Sequence, residues 1–358
     1  MTMIGVYEKL AAHLDQGVVG SPVSPVLLEL LEILFPGREA EIGARLPMTN
    51  QTLAQLTALF PDQPDLEAIL LNMAQRGTVF IGRRPGVEPV YRLLQSIGGW
   101  VEVPFYAGHD TPELRRLAPL ILKYREETLS GELARGNMPV MRVLPVSRTL
   151  RESVAVLPFE AVRPLVEAQS FCAVAHCGCR RLKTLADKGC HHATETCLHF
   201  GSMGRYLVDS GKARLIQTAE ALSILEAAHL SGLSHSMENM DGYLATICNC
   251  CSCCCVFLSN QVKKKLNVLS PSRYLARVDQ EVCAGCGTCQ NRCPSGAIRV
   301  ESAGRAQVDP RLCLGCGVCT PTCETGAVDL VLRDPVKPPP SPEEFLRARY
   351  KAAIHNHQ

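Results

Sequence analysis

The chain has 358 residues, 46% of them apolar and 20% charged, which is enough to build two or three cores and too apolar for a disordered polypeptide. Its 37 basic and 35 acidic residues leave a formal charge of only +2, and aromatic residues make up 5%, so strong electrostatic capture of nucleic acid or anionic membrane is not expected.

The 19 cysteines are confined between Cys172 and Cys323. The opening segment carries Glu8 and Asp15 where a secretory signal would be apolar, and the richest apolar run, PVLLELLEILF, is interrupted by Glu29 and Glu32. No membrane span is expected. The thiols are therefore expected in a reducing, cytoplasmic setting, where dense cysteine more often binds metal than forms bridges.

In chain order, Ser24-Pro25 has the chemistry of a helix start, and the helix should end before Pro36-Gly37. A second helix is expected from Arg38 to before Pro47, and a third is capped by Asn50, with Leu53, Leu56 and Phe60 on one face. A fourth begins at Asp65, buries Leu66, Ile69, Leu70 and Met73, and stops at Gly77. The β-prone segments TVFIG and EPVYRLL follow, joined by RRPGV. Helices followed by a hairpin are the plan of a winged helix. As a DNA-reading helix the fourth is poor, because its only basic residue is Arg76, although the hairpin carries Arg83 and Arg84. A docking or structural role is the expectation for this unit.

Thr111-Pro112-Glu113 opens another helix through LRRLAPLILKYREETL, with Pro119 inside it. The segment MPVMRVLPVSRTL reads as β-like, and a further helix is expected from Phe159-Glu160. Cys172, in the apolar FCAVA, is expected to be a core thiol. Then come Cys177, Cys179, Cys190 and Cys197, with His176, His191, His192 and His199 among them. After the helix TAEALSILEAAHLSGLSH, with Ala221, Leu222, Leu225 and Ala228 as its buried stripe, comes ICNCCSCCCVF, carrying Cys248, Cys250, Cys251, Cys253, Cys254 and Cys255. His229 and His235 read as surface or helix-end residues. The helix is a spacer that can bring the two cysteine groups together. The six thiols of the second group, within eight positions, have no packing explanation and would be an oxidation hazard if left free; the two groups together supply ten, enough for two clusters. One or two further iron–sulfur clusters, a tetrahedral zinc site, or a redox-active thiol centre all suit them, the first being favoured.

The strongest signal is a repeat. Cys283, Cys286, Cys289 and Cys293-Pro294 recur 30 residues later as Cys313, Cys316, Cys319 and Cys323, with Glu324 in place of the second proline. Three thiolates spaced by two residues can wrap three irons of a cubane. Each half, a small βαβ-like unit, is too small to bury a core alone. This segment, from about Arg277 to Leu332, resembles the bacterial two-cluster ferredoxins. The resemblance implies two [4Fe–4S] clusters with crossed ligation: Cys283, Cys286, Cys289 and Cys323 on one, and Cys313, Cys316, Cys319 and Cys293 on the other.

The order of a winged-helix-like unit, CGCR…C…TCLHFG, EALSILEAAHLSGLSHSMEN, CNCCSCCC and a dicluster ferredoxin resembles the bacterial 4Fe-4S dicluster proteins of anaerobes, and implies electron transfer. The sequence carries no GxGxxG dinucleotide fingerprint, Walker A loop or nucleophile elbow. An α+β multidomain protein is expected: a winged-helix-like helical domain over 1–100, a cysteine-rich α/β domain over 101–270, a ferredoxin-like 2[4Fe–4S] domain over 271–334, and a Pro-rich tail over 335–358, read as an extended arm ending in a docking helix. The expected role is an electron-transfer subunit or partner of an anaerobic oxidoreductase. The alternatives are an enzyme whose central cluster is its active site, and a redox-sensing winged-helix regulator.

Overall fold

A computed structural model describes residues 3–136, 138–145, 162–301, 304–333 and 338–355. Its first helix, Met3–Leu14, was not anticipated, although Val6, Tyr7, Leu10, Ala11 and Leu14 form a helical stripe that is buried. The helix Pro25–Leu34 starts as its sequence requires: the Ser24 hydroxyl accepts from the Leu27 N–H at 3.2 Å, and proline takes the first position. The short helix Arg38–Gly43 follows.

The expectation of an Asn50 cap is corrected. Residues Gln51–Thr52 form a short strand, β1, and Thr52 caps the helix Leu53–Leu59 in a reciprocal box with Gln55. A threonine three residues before a glutamine satisfies two helix-end donors at once. The helix Leu66–Arg76 ends, as expected, on Gly77 at φ +87°. Strands β2 (Val79–Arg84) and β3 (Val87–Leu93) then form a hairpin, which β1 joins to give an antiparallel sheet of order β1-β3-β2. Arg76 lies between Glu39 and Glu113, 3.3 Å from each, and Arg83 is 3.6 Å from Asp209.

The helix Pro112–Tyr124 carries Pro119 within it and continues through a π-turn over Arg125–Leu129 into Ser130–Leu133. Next come β4 (Met141–Leu144), the helix Val162–Glu167, β5 (Cys172–His176), the helix Gly178–Leu185, β6 (Glu195–Phe200), the helix Gly201–Asp209 and β7 (Arg214–Ile216). The helix Thr218–Leu230, β8 (Ser234–Glu238), β9 (Thr246–Cys250), the helix Val256–Lys263 and β10 (Leu269–Ser270) complete this part. The expected helix start at Phe159-Glu160 and the end of the β-like stretch lie outside the described residues.

These strands make a seven-stranded sheet of order β10-β4-β8-β9-β6-β5-β7, antiparallel except for the β10–β4 pair. Alternation along its strands gives the sheet two unlike faces. Val174, Leu198, Met237 and Ile247, which align across neighbouring strands, pack with Cys172, Val166, Ala221 and Leu225 in one apolar cluster. Cys172 is thus a core thiol. The opposite face carries Cys197, Cys248 and Cys250. Their apolar neighbours belong to a continuous buried cluster that includes Leu10, Leu31, Trp100, Ile121 and Val256.

In the last part, β11 (Tyr274–Val278) pairs with β14 (Val328–Leu332), and β12 (Ile298–Val300) with β13 (Ala306–Val308), all antiparallel. The short helix Thr288–Arg292 lies in the first half; the matching stretch of the second half is a turn, so the βαβ-like expectation holds for the first half only. The tail ends in the helix Pro342–His355, where Arg349 is fully buried. No helix among the described residues is long and apolar enough to cross a membrane.

Candidate metal centres

Two cavities in the C-terminal part each gather three cysteines from one half of the repeat and one from the other. Cys283, Cys286, Cys289 and Cys323 line the first, and Cys313, Cys316, Cys319 and Cys293 the second. Strand pairing explains the exchange: the strand before the first cysteine group pairs with the strand after the second, which brings each fourth cysteine to the opposite end. The turns between the first two cysteines of each group need glycine. Gly285 and Gly315 both sit at φ +67°, and a Cβ would run into the Gly304 carbonyl at the first and the Tyr274 carbonyl at the second. The Ala297 N–H donates to the Cys293 sulfur at 3.2 Å and the Ala276 N–H to that of Cys313 at 3.5 Å. Four soft thiols around a cavity, with backbone donors aimed at sulfur, fit iron–sulfur clusters.

The two sites differ in exposure. In the first, Cys286 is exposed and Cys283 and Cys323 half-buried, whereas Cys313, Cys316 and Cys319 of the second are all buried. Burial pushes the Cys316 thiol up to about 12. The Ser234 side chain opposes that rise, and Arg292 fastens the same region to the helix Thr218–Leu230 by donating to the carbonyls of His229 and Leu230.

The central cysteines separate into two groups. Six of them, Cys177, Cys179, Cys197, Cys248, Cys250 and Cys255, line a chamber of about 270 Å³ on the thiol-bearing face of the large sheet. Strand alternation puts Cys248 and Cys250 on one side, with Ser236 opposite Cys248 and Ser234 opposite Cys250. Cys177 and Cys255 occupy equivalent places, each capping a helix N-terminus, Gly178–Leu185 and Val256–Lys263 respectively. The backbone N–H groups three residues on, Arg180 and Leu258, favour the thiolate at each, without a capping hydrogen bond to either sulfur. Helix N-termini favour anionic thiolate and so counter the burial that raises the Cys177 thiol to about 12. The sulfurs of Cys255 and Cys250 lie 3.1 Å apart, and the Cys250 sulfur is 3.5 Å from the Ser236 hydroxyl.

The second group, Cys190, Cys251, Cys253 and Cys254, has all four sulfurs within 4.8 Å of one another. Cys251 and Cys254 pack with Ala228 and Leu233 of the spacer helix and the loop after it, and Cys251 also reaches the chamber wall. Hydrogen bonds from Cys254 and Cys253, with the Arg180 guanidinium, hold the Cys251 thiol below the usual thiol range.

Several participants had not been anticipated. Glu102 lines the chamber, buried, and accepts from the Gly98 N–H at 3.1 Å; burial pushes its carboxyl up to about 7, with Arg125 opposing. Tyr106 also lines it, its phenol raised by burial. Arg180 is 1% exposed and donates to the Asn249 carbonyl at 2.9 Å and to Thr196. His229 and His235, read as surface or helix-end residues, are both buried: His229 does lie in the last turn of its helix and His235 lies in β8, their rings are 5.8 Å apart, and burial lowers them to about 3 and about 4. Ser234-x-Ser236 has strand period and could have been read against Cys248-x-Cys250; nothing near Glu102 in the sequence marks it. Ser202 sits in the first turn of the helix Gly201–Asp209.

Among known proteins, residues 282–327 match the 4Fe-4S dicluster domain family. No curated protein and no solved structure matches the chain. Over those residues the chain is therefore similar to 4Fe-4S dicluster domains, and it carries a further cysteine group able to hold metal outside them.

Proposed function

We propose that the chain is an iron–sulfur electron-transfer protein, a subunit or partner of a larger oxidoreductase in a reducing, cytoplasmic setting. Cys283, Cys286, Cys289 and Cys323 would hold one [4Fe–4S] cluster, and Cys313, Cys316, Cys319 and Cys293 the second. The six chamber cysteines would hold a further iron–sulfur centre. When bound, such clusters supply reversible one-electron transfer. The chain's own contribution is to hold them, exclude water and adjust their potentials through hydrogen bonds to sulfur.

One observation carries this reading. The exposed thiol set, the buried set and the chamber are successive neighbours. The Ser234 side chain acts on the Cys316 thiol of the buried set, and on the large sheet its direct cross-strand partner is Cys250 of the chamber. Electron carriers need closely spaced centres with one accessible end, and that end is the exposed Cys286, where a redox partner would dock. The N-terminal helices and hairpin fit a winged-helix unit used for packing: of Arg76, Arg83 and Arg84, the cations a groove would need, Arg76 and Arg83 are engaged in ion pairs. That engagement weighs against the redox-regulator reading.

A specific observation favours a second reading, an oxidoreductase with the chamber as its active site. The chamber has free volume beside its thiols and a buried carboxyl, Glu102, raised to about 7, within reach of proton exchange near neutrality.

Anaerobic reduction by a protein-sized donor, followed by EPR, tests the first reading. Wild-type protein should reduce its chamber centre quickly. Cys319→Ser, which perturbs only the buried set, should slow that step while reduction of the exposed set persists. Equal chamber reduction in both proteins would refute the proposed order.

A further inference from the structure

The quartet Cys190, Cys251, Cys253 and Cys254 differs in kind from the other thiol groups. All four sulfurs lie within 4.8 Å of one another, with Cys190 and Cys251 at 4.0 Å and Cys253 and Cys254 at 3.7 Å. A single tetrahedral ion with metal–sulfur bonds of about 2.3 Å places its ligand sulfurs about 3.8 Å apart. A cubane interposes an iron–sulfide core and holds its four thiolates much further apart. The same chain provides the comparison. Among the described residues, no other group of three or more cysteine, histidine or carboxylate ligands closes to this distance, including the two quartets of the ferredoxin-like part.

We propose that these four cysteines bind one tetrahedral divalent ion, zinc, at a structural site separate from the chamber. A fully thiolate quartet is the donor set of closed structural zinc sites. Four thiolates on a divalent ion leave two negative charges, and the chain places a buried cation against them. The Arg180 guanidinium lies 3.9 Å from the Cys251 sulfur and is held there by its bond to the Asn249 carbonyl. The connectivity gives the ion a purpose. It ties the loop carrying Cys190 to the turn after β9, from which Cys248 and Cys250 project into the chamber on one side and Cys255 on the other. The spacer helix packs over the tie through Ala228. The run CNCCSCCC is thereby divided: Cys251, Cys253 and Cys254 serve the ion, while Cys248, Cys250 and Cys255 serve the chamber.

The inference does not depend on what fills the chamber, and two measurements keep the questions apart. Full-length protein produced anaerobically should contain one zinc per chain in addition to its iron. Produced with cobalt(II) in place of zinc, it should show the thiolate-to-cobalt charge-transfer and visible d–d absorption of a tetrahedral four-sulfur site. Cys253→Ser, at the exposed ligand, should weaken zinc retention at least 10- to 100-fold, the loss typical even of outer-shell changes, and leave iron unchanged. Wild-type protein without zinc and without the cobalt spectrum overturns the proposal, as does a mononuclear iron signal in its place. So does a Cys253→Ser protein that loses iron and keeps zinc. Should that variant fail to fold, the wild-type cobalt spectrum still decides. Low iron with zinc present would count against the chamber centre and not against this site.

Discussion

Replacing Arg349 by methionine should release the C-terminal helix from the rest of the chain. The guanidinium is fully buried and donates to the carbonyls of Val18 at 3.2 Å, Glu132 at 3.2 Å, Leu133 at 3.4 Å and Arg135 at 2.6 Å, with the Glu132 carboxylate 3.8 Å away. Methionine keeps most of the apolar stem and removes the charge and every donor. Taking away one partner of a buried charged network costs about 3–5 kcal/mol. The main apolar anchor of the helix is Phe345, and full burial of such a side chain contributes only about 1.5–3 kcal/mol. The loss exceeds the remaining anchor, so the helix should open locally while the sheet stays folded. Because Phe345 and Leu346 also line the chamber, its thiols should then become more accessible. Hydrogen exchange read by mass spectrometry would show protection across 342–352 falling by roughly a hundredfold or more, at 1.4 kcal/mol per decade. Protection in β5 and β6 should not change. Unchanged protection in the helix would mean that Arg349 does not anchor it, and an equal fall throughout the chain would show that Arg349 supports the whole core.

Three more outcomes follow from the geometry. Because burial raises Glu102 from 4.5 to about 7, the folded chain holds this proton more tightly than the unfolded one. The resulting stability is complete below about pH 4.5 and is lost as pH rises through about 7. Glu102→Gln should therefore gain up to about 3 kcal/mol over wild type at pH 8 and little at pH 5, and an advantage independent of pH in thermal unfolding would contradict this. Ser234→Ala removes the hydroxyl that acts on the Cys316 thiol; a hydrogen bond from it would be worth about 1 kcal/mol, which for one electron is about 40 mV. A bond that favours the more negative, reduced state is lost, so a redox titration should find one potential more negative by that amount; no change or a rise would count against the contact. Gly285→Ala forces a Cβ into the Gly304 carbonyl and should lose about four irons, the content of one cubane, whereas Gly287→Ala, strained by its φ of +76° but with open space around it, should lose fewer.

The ferredoxin-like part was legible because ligand spacing there is local: each triplet of cysteines is fixed by its own turn, and the repeat marks the second. The split of the central cysteines was not legible. Cys248-x-Cys250 does read as two thiols on one strand face, but the division of Cys253, Cys254 and Cys255 between two sites depends on how the chain turns after β9, which spacing alone leaves open. The helix Thr218–Leu230 was placed from its apolar stripe, yet His229 read as a helix-end residue because its burial comes from packing that the helix itself does not encode. Asn50 and Thr52 are both good caps, and the choice fell to Thr52 because Gln55 stands three residues on and Gln51–Thr52 pairs with β3. Glu102 lies in no motif; its importance arises from enclosure by segments distant in sequence.

The most direct measurement is iron, acid-labile sulfide and zinc per chain on protein purified without oxygen. Two cubanes account for about eight irons, so clearly more than eight are expected, matched by sulfide, together with one zinc. Iron stopping at about eight would leave two ferredoxin clusters and contradict a cluster in the chamber, and fewer than eight would contradict the paired quartets themselves.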